Sequence, residues 1–138
     1  MKKKTVVAVS GYYDPPHEGH IEHLVAAKSL GDYLVVILNN NEQAALKKGK
    51  AFYDMKTKVS ILGHLEMVDE VFISIDKGRT IEKSLEAVNP DIFAKGGDVV
   101  ELPEPERDVC VNCNIDVVFN VGGGKINSSS WIINDRKS

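Results

Sequence analysis

The sequence predicts an α/β fold, in which a doubly wound sheet of five parallel strands is covered by helices on both faces. Short apolar runs alternate along the chain with segments whose apolar residues recur at helical spacing, and this alternation is typical of right-handed β-α-β units. The chain of 138 residues is also close to the usual length of one compact domain. We therefore expect a single domain over residues 1–138.

The first predicted strand is the short apolar run Val6–Val9, which ends at a turn containing Gly11. A helix of about 12 residues is predicted after the breaker Pro15-Pro16 and before Gly31, because a glycine commonly follows the last turn of a helix. The apolar positions of this helix have helical spacing: Ile21, Leu24, Val25, Ala27 and Leu30.

The second predicted strand is Tyr33–Leu38, and a basic loop, Leu46–Lys50, is predicted after it. Asp54 is a candidate N-cap for a second amphipathic helix. The apolar run Val71–Ile75 is the third predicted strand.

Thr80 is the predicted cap of a helix that continues to Val88, and the fourth and fifth strands are predicted at Ile92–Ala94 and Val117–Phe119. A last helix is predicted to start at Ser128–Ser130. The complete pattern is that of a Rossmann-like sheet. Ligands of such sheets bind beyond the carboxyl ends of the strands, so the loops that leave the strands are the candidate site.

Composition excludes several classes of function. The charged fraction is 27% and the formal net charge is -3, so the basic excess of a nucleic-acid-binding protein is absent. The longest apolar runs, Tyr33–Leu38 and Ile115–Phe119, are far shorter than the roughly 20 residues that cross a bilayer. Met1–Lys4 is charged, but the apolar run after it is too short for a signal peptide. We expect a cytoplasmic protein without nucleic-acid or membrane partners.

The two cysteines, Cys110 and Cys113, form a single C-x-x-C pair. A structural zinc site needs four ligands, and no second pair exists in the chain. The pair lies in the polar segment Val99–Asn114, away from the strand-to-helix position of a thioredoxin-type motif. We expect reduced thiols without a catalytic role. The polar segment itself is either a surface excursion or a contributor to recognition of a ligand.

The loop Gly11–His20 follows the first strand and contains two histidines three residues apart, His17 and His20. If the helix begins near Pro16 or His17, both imidazoles project from its first turn. A helix N-terminus presents unpaired N–H groups and a partial positive charge, which favour phosphate. The loop is therefore a candidate phosphate site, although H-x-x-H alone also occurs in solvent-exposed turns.

The longer pattern G-Y-Y-D-P-x-H-x-G-H resembles the G-x-F-D-x-x-H-x-G-H signature of the cytidylyltransferase-like nucleotidyltransferase superfamily. This resemblance implies in-line transfer of a nucleoside monophosphate from an NTP to a phosphorylated acceptor, with release of pyrophosphate and with His17 and His20 as catalytic residues. Asp14 would contact either a metal or the loop itself. The resemblance assigns these loop residues to nucleotide binding: Gly11, Tyr12, Tyr13, Asp14 and Gly19.

Lys47, Lys48 and Lys50 form a basic run that, taken alone, is typical of a solvated surface. In the resembled family, a lysine in the loop after the second strand approaches the phosphates of the NTP and the acceptor. The resemblance therefore implies that Lys47 or Lys50 is a catalytic residue. Lys58, on the next helix, matches a basic residue of some relatives more loosely.

Near the C-terminus, Ser128, Ser129 and Ser130 are similar to the serine/threonine motif that closes the nucleotide site of this family. Serines at a helix start also donate hydroxyl and backbone hydrogen bonds to phosphate. Many cytidylyltransferases carry an arginine just before this motif. Here Lys125 is the available cation, and a lysine lacks the two-pronged grip of arginine on phosphate.

The stretch Lys95-Gly96-Gly97-Asp98 follows the fourth strand and resembles the P-D-x-x-x-K-G-G-D motif of heptose-1-phosphate adenylyltransferases. The resemblance implies that these four residues bind the nucleotide, and it favours ATP with a sugar phosphate over CTP with a polyol or amino-alcohol phosphate. Mg²⁺ is expected on the phosphates of the NTP. Relatives in this family are commonly dimers, so both a monomer and a homodimer are consistent with the sequence.

Two other classes of function are alternatives. A nucleotide-binding regulatory module that has lost catalysis would be consistent with the missing arginine. An electron-transfer or dinucleotide-binding protein would need G-x-G-x-x-G in the first strand-to-helix turn, which this chain lacks.

Overall fold

A computed structural model describes residues 4–13, 17–48, 54–97 and 99–122. Their helices and strands follow one another in this order: β1 (Val6–Gly11), α1 (Glu18–Lys28), β2 (Tyr33–Leu38), α2 (Asn41–Lys48), α3 (Met55–Gly63), β3 (Glu70–Ile73), α4 (Glu82–Val88), β4 (Ile92–Ala94), α5 (Glu104–Asn112) and β5 (Asp116–Val118). No helix among the described residues is both long enough and apolar enough to cross a membrane.

The five strands form one parallel sheet in the order β3-β2-β1-β4-β5. β1 pairs with β2 along its whole length, from Val6 with Tyr33 to Gly11 with Leu38. The chain moves outward from β1 to β3 and then crosses to the other side of β1, so the strand order reverses between β1 and β4. The predicted α/β, doubly wound, five-stranded parallel sheet is confirmed. Its ligand crevice is expected beyond the carboxyl ends of β1 and β4.

Apolar side chains fill both faces of the sheet. On one face Leu24 and Ala27 of α1 and Leu62 of α3 pack with buried residues of β1 and β2. On the other face Leu85 of α4 and Cys110 of α5 pack with a second buried cluster. These two layers explain why the strands were recognisable as continuous apolar runs, since a strand buried on both faces has no polar alternation.

The predicted loop at Leu46–Lys50 is wrong for its first part, because residues 46–48 belong to α2. The helix is fixed at its start by Asn40 and Gln43. The backbone N–H of Gln43 donates to Asn40 Oδ1 at 2.8 Å, and the backbone N–H of Asn40 donates to Gln43 Oε1 at 3.1 Å. This reciprocal pair is a capping box, which satisfies N–H groups that a helix start otherwise leaves unpaired.

The predicted cap of α4 is also wrong. The N-cap position is Ile81 rather than Thr80, and Ile81 makes no side-chain cap. The buried carboxylate of Asp76 takes that role from outside the helix, since it accepts from the backbone N–H groups of Lys83 and Ser84, each at 2.9 Å. The long-range partner replaces the local one that the sequence pattern suggested.

The polar segment Val99–Asn114 is not a simple surface excursion, because α5 occupies Glu104–Asn112. Cys110 lies in this helix and is buried, and Cys113 is its C-cap residue; both thiols are free. Burial, together with the nearby Glu106, raises the pKa of Cys110 to about 11. The thiol is therefore protonated near neutral pH, as expected for a structural cysteine.

The remaining differences concern strand ends. β1 continues to Gly11, β3 runs from Glu70 to Ile73, and β5 is Asp116–Val118 rather than Val117–Phe119. Shifts of one or two residues are usual at element ends. Asp54 is the N-cap of α3 as predicted, because its side chain accepts from the backbone N–H of Thr57.

Candidate active site

The first turn of α1 carries the two motif histidines. The helix begins at Glu18 and His17 is its N-cap residue, with extended backbone angles. His17 Nδ1 accepts from the backbone N–H of Gly19 at 3.1 Å, and His20 Nδ1 accepts from the backbone N–H of His17 at 3.1 Å. The two imidazoles thus form a reciprocal capping box, a role usually filled by a hydroxyl or carboxylate and a glutamate or glutamine.

These caps determine where the histidine protons lie. A nitrogen that accepts a hydrogen bond carries no proton, so each neutral ring holds its proton on Nε2. The two rings stack with their centroids 3.9 Å apart and an interplanar angle of 24°. The ring of Tyr13 meets His20 edge-on at 4.8 Å. His17 and His20 therefore hold two Nε2–H donors in a fixed orientation.

A pocket of about 520 Å³ lies beyond the carboxyl ends of β1 and β4, where the strand order reverses. Its volume is within the usual range for small-molecule sites. The lining comes from β1 and its exit loop, from α1, and from the segments that follow β4 and β5: Ser10, Gly11, Tyr13, His17, Gly19, His20, Glu22, His23, Ala94, Lys95, Gly96, Gly97, Val99, Val121 and Gly122.

Lys95, which follows β4, also lines the pocket. Its Nζ lies 3.5 Å from Ser10 Oγ, to which it donates, and 5.1 Å from the centroid of the Phe93 ring. Burial lowers the pKa of Lys95, and the charge of Glu106 acts in the opposite direction. Glu106 is itself buried and caps the α4 region by accepting from the backbone N–H of Ile81. The pocket lining therefore combines a partly desolvated ammonium with two imidazole donors.

Lys58 lies behind the motif loop and not in the pocket lining. It is fully buried on α3, and its Nζ donates to the backbone carbonyl of Tyr12 at 3.3 Å. This contact connects α3 to Tyr12, and the next residue, Tyr13, packs on His20. Lys58, which matches a basic residue of some relatives only loosely, thus contacts the motif loop directly at Tyr12.

The sequence pattern did not single out His23, which also lines the pocket. His23 Nδ1 lies 2.8 Å from the carbonyl oxygen of Val121, a residue that follows β5. The only local signal was position, since His23 comes three residues after His20 and falls on the same face of α1. The contact with Val121 joins residues 98 positions apart, so it could not be predicted from local sequence.

The structure brings together many of the predicted site residues, because Gly11, Tyr13, His17, Gly19, His20, Lys95, Gly96 and Gly97 all line one pocket. Tyr12 adjoins them and contacts Lys58. Lys47 and Lys48 end α2, and only their backbone is described. The other predicted residues lie outside the described part of the chain: Asp14, Lys50, Asp98, Lys125, Ser128, Ser129 and Ser130.

The pocket lies at the switch point of a doubly wound sheet, which is where such sheets bind their ligands, and the chain is a nucleotidyltransferase. Residues 8–134 match the cytidylyltransferase-like family, and the chain belongs to that family. The superfamily predicted from the H-x-G-H pattern is thereby confirmed.

Several known proteins are similar to this chain. It is 32% identical to an FAD synthase of Picrophilus torridus over 130 residues, which are 91% of each protein. It is 40% identical to an FAD synthase of Thermococcus sibiricus over 98 residues, which are 70% of this chain and 66% of the relative. The bifunctional protein HldE of Streptomyces coelicolor is 37% identical over 106 residues, but the chain matches only 22% of its length.

Among solved structures, the chain resembles the lipopolysaccharide core biosynthesis protein of Thermoplasma volcanium GSS1. The TM-score is 0.71 at 27% identity, over 86% of this chain and 97% of the other. A pantoate-beta-alanine ligase of Francisella tularensis shares the fold alone, with a TM-score of 0.55 at 15% identity over 86% of this chain and 59% of the ligase.

Proposed function

We propose that this protein transfers an adenylyl group from ATP to a small phosphorylated acceptor and releases pyrophosphate. The observation that carries the proposal is the pair of capped histidines at the start of α1, which present two Nε2–H groups in the same pocket as the Lys95 ammonium. Donors converging at a helix N-terminus suit a polyanion, and a triphosphate and a phosphorylated acceptor are both polyanions.

In the proposed reaction, an oxygen of the acceptor phosphate attacks the α-phosphorus of ATP in line with the leaving group. A new P–O bond forms as the bond to the β-phosphate oxygen breaks, and the electron pair leaves with pyrophosphate. The acceptor phosphate is already ionised, so no general base is needed. Negative charge builds on the non-bridging α-oxygens, and preorganised donors such as His17 and His20 would lower the barrier most at that point.

The ammonium of Lys95 would act on the rest of the triphosphate. Lys95 is held by its contact with Ser10 and by packing on Phe93, so it requires little ordering when an anion binds. Among the described residues, no cluster of three or more His, Cys, Asp or Glu could hold a metal ion. The nitrogen donors here fit phosphate oxygens, and Mg²⁺ would arrive with the ATP phosphates and neutralise part of their charge.

ATP is the preferred nucleotide because the FAD synthases and HldE proteins that this chain resembles perform adenylyl transfer. FAD consists of FMN joined to AMP, so an FAD synthase adds an adenylyl group to FMN, and HldE contains a heptose adenylyltransferase domain. FMN is the first acceptor to test, because the similarity to the Picrophilus FAD synthase extends over nearly both chains. A sugar phosphate is the second, because Lys95, Gly96 and Gly97 belong to the motif that resembles heptose-1-phosphate adenylyltransferases.

The test is a matrix of nucleotides and acceptors assayed for pyrophosphate release in the presence of Mg²⁺. ATP and CTP are each combined with FMN, heptose 1-phosphate and glycerol 3-phosphate, and products are identified by chromatography. Release with ATP and either of the first two acceptors supports the proposal and selects the acceptor. Release with CTP and glycerol 3-phosphate alone overturns it in favour of cytidylyl transfer.

The regulatory-module alternative gives a different pattern in the same experiment. Such a protein would bind ATP when binding is measured by calorimetry, but it would release no pyrophosphate with any acceptor. His64→Asn is the control for substitutions of the pocket histidines. His64 is the exposed C-cap residue of α3 and lies outside the pocket lining, so this variant should retain the wild-type rate.

A further inference from the structure

His17, the N-cap of α1, and the helix residues His20 and His23 recur at intervals of three residues, yet their hydrogen bonds differ. His17 and His20 accept at Nδ1 from backbone N–H groups. His23 faces the carbonyl oxygen of Val121, and a carbonyl can only accept. His23 Nδ1 must therefore carry the proton, and the neutral ring has a bare Nε2. Two of the pocket histidines are donors at Nε2, and the third is an acceptor there.

Backbone packing holds the ring of His23 in place. A Cβ atom added at Gly96 would lie 2.8 Å from His23 Nδ1, so the glycine backbone is in direct contact with the imidazole. Gly122 has a φ of +77° and approaches the helix so closely that a Cβ would lie 2.8 Å from His23 Cα. Val121 is fixed in turn, because its N–H donates to the carbonyl of Lys95 at 2.9 Å. The imidazole is thus wedged between the segments that follow β4 and β5.

Position along α1 separates the roles of the histidines. His23 lies three residues beyond His20, or about 4.5 Å further from the helix N-terminus. In the proposed complex, a nucleotide whose phosphates bind at that N-terminus would extend its nucleoside away from it, along the pocket that His23 lines with Gly96 and Gly97. Burial is the main cause that lowers the pKa of His23; the bond to Val121 acts in the opposite direction and the charge of Lys95 adds to the lowering, so the ring is neutral near neutral pH.

A bare ring nitrogen at the nucleoside end of the pocket suits an N–H donor, and not a phosphate. We propose that His23 Nε2 accepts a hydrogen bond from the exocyclic amino group of the nucleobase and makes the site selective for amino-substituted bases; this inference rests on the proposed use of an NTP. Glu22 also lines the pocket, but its side chain is exposed to solvent, where the competition of water weakens discrimination.

The test compares two ligands that differ only in the amino group. Dissociation constants are measured by calorimetry for ATP and for purine riboside triphosphate, which lacks the 6-amino group; for a protein that prefers CTP, the pair is CTP and pyrimidin-2-one riboside triphosphate, which lacks the 4-amino group. One hydrogen bond to a buried acceptor corresponds to about a tenfold preference for the amino form. A wild-type protein that binds both members of the pair equally overturns the proposal.

Two substitutions separate the acceptor from the structural contact. His23→Asn places an amide N–H near the position of Nδ1, which retains the bond to Val121 but removes Nε2. The tenfold preference should fall to near unity in this variant. His23→Gln places its amide oxygen near the position of Nε2 and should retain most of the preference. An unchanged preference in His23→Asn would contradict the role of Nε2, and His64→Asn is the control for the substitution type.

Binding measurements keep this inference distinguishable from the proposed reaction. Amine-selective binding without pyrophosphate release overturns the transferase proposal and supports the role of His23. Normal turnover without amine selectivity overturns the role of His23 alone. Failure of the wild-type protein to bind any NTP overturns both.

Discussion

The capped histidine pair gives a prediction in which stability and catalysis separate. Each imidazole has two functions, because Nδ1 caps the helix and Nε2–H is the proposed donor to the reacting phosphate. Alanine at position 17 removes both. His17→Asn keeps the cap, since asparagine is among the best N-cap residues, and removes only the donor. At position 20, His20→Gln keeps the reciprocal bond of the capping box in the same way.

The expected magnitudes follow from these two functions. Loss of one preorganised donor to developing charge costs about 2.7–4 kcal/mol in the barrier, or a factor of about 10²–10³ in kcat. Loss of an N-cap costs about 1 kcal/mol of folding free energy. His17→Asn should therefore lose the full factor in kcat with an almost unchanged free energy of unfolding, and His17→Ala should lose both.

The assay is pyrophosphate release at saturating substrates, paired with urea unfolding of each variant. If His17→Asn and His20→Gln turn over within a factor of a few of the wild-type rate, the imidazoles are caps only, and the proposed role in charge stabilisation is wrong. If kcat falls only in the alanine variants, the loss of activity follows from the loss of helix structure.

Three further predictions concern stability and are measured by urea unfolding. Gly122→Ala should destabilise the fold by at least about 1–2 kcal/mol, because φ is +77° and the new Cβ would meet the backbone of His23; an unchanged midpoint would contradict this packing. Since burial lowers the pKa of His23 from 6.5, its neutral form contributes stability that is complete above pH 6.5 and is lost as the pH falls to the folded-state pKa. His23→Asn should flatten this part of the pH profile, and parallel profiles would refute the assignment. Asp76→Ala should cost about 3 kcal/mol, because the backbone N–H groups of Lys83 and Ser84 lose a charged acceptor, and Asp76→Asn should cost less; equal losses would indicate that the charge is unimportant.

Elements buried on both sides of the sheet could be predicted from sequence, because their apolar character is continuous. The run Tyr33–Leu38 is predicted with its exact ends for this reason. α5 could not be predicted in the same way, because Glu106 and Cys110 are its buried residues and most of its other positions are exposed. A helix whose buried face includes a carboxylate has too weak an apolar period to detect.

α2 was missed for a different reason, since a local signal was present and was assigned to a loop. The spacing of Asn40 and Gln43 matches a capping box, and the structure contains both of its hydrogen bonds. Three consecutive asparagines, Asn39–Asn41, are typical of a strand end, and in this chain the same residues also start a helix. For α4 the local signal was misleading, because Asp76 supplies the cap from the loop before the helix.

Within the site, residue type alone was not sufficient to define the role of a histidine. His20 and His23 are about one helical turn apart and line the same pocket, but the partner of Nδ1 is different in each. A backbone N–H at the helix start makes Nε2 of His20 a donor, whereas the carbonyl of Val121 makes Nε2 of His23 an acceptor. The first partner is local and follows from the H-x-G-H spacing. The second exists only because the chain returns beside α1 after β5. The histidine pair of the proposed phosphate site could therefore be found from sequence, whereas the hydrogen-bond acceptor on His23 depends on the tertiary fold.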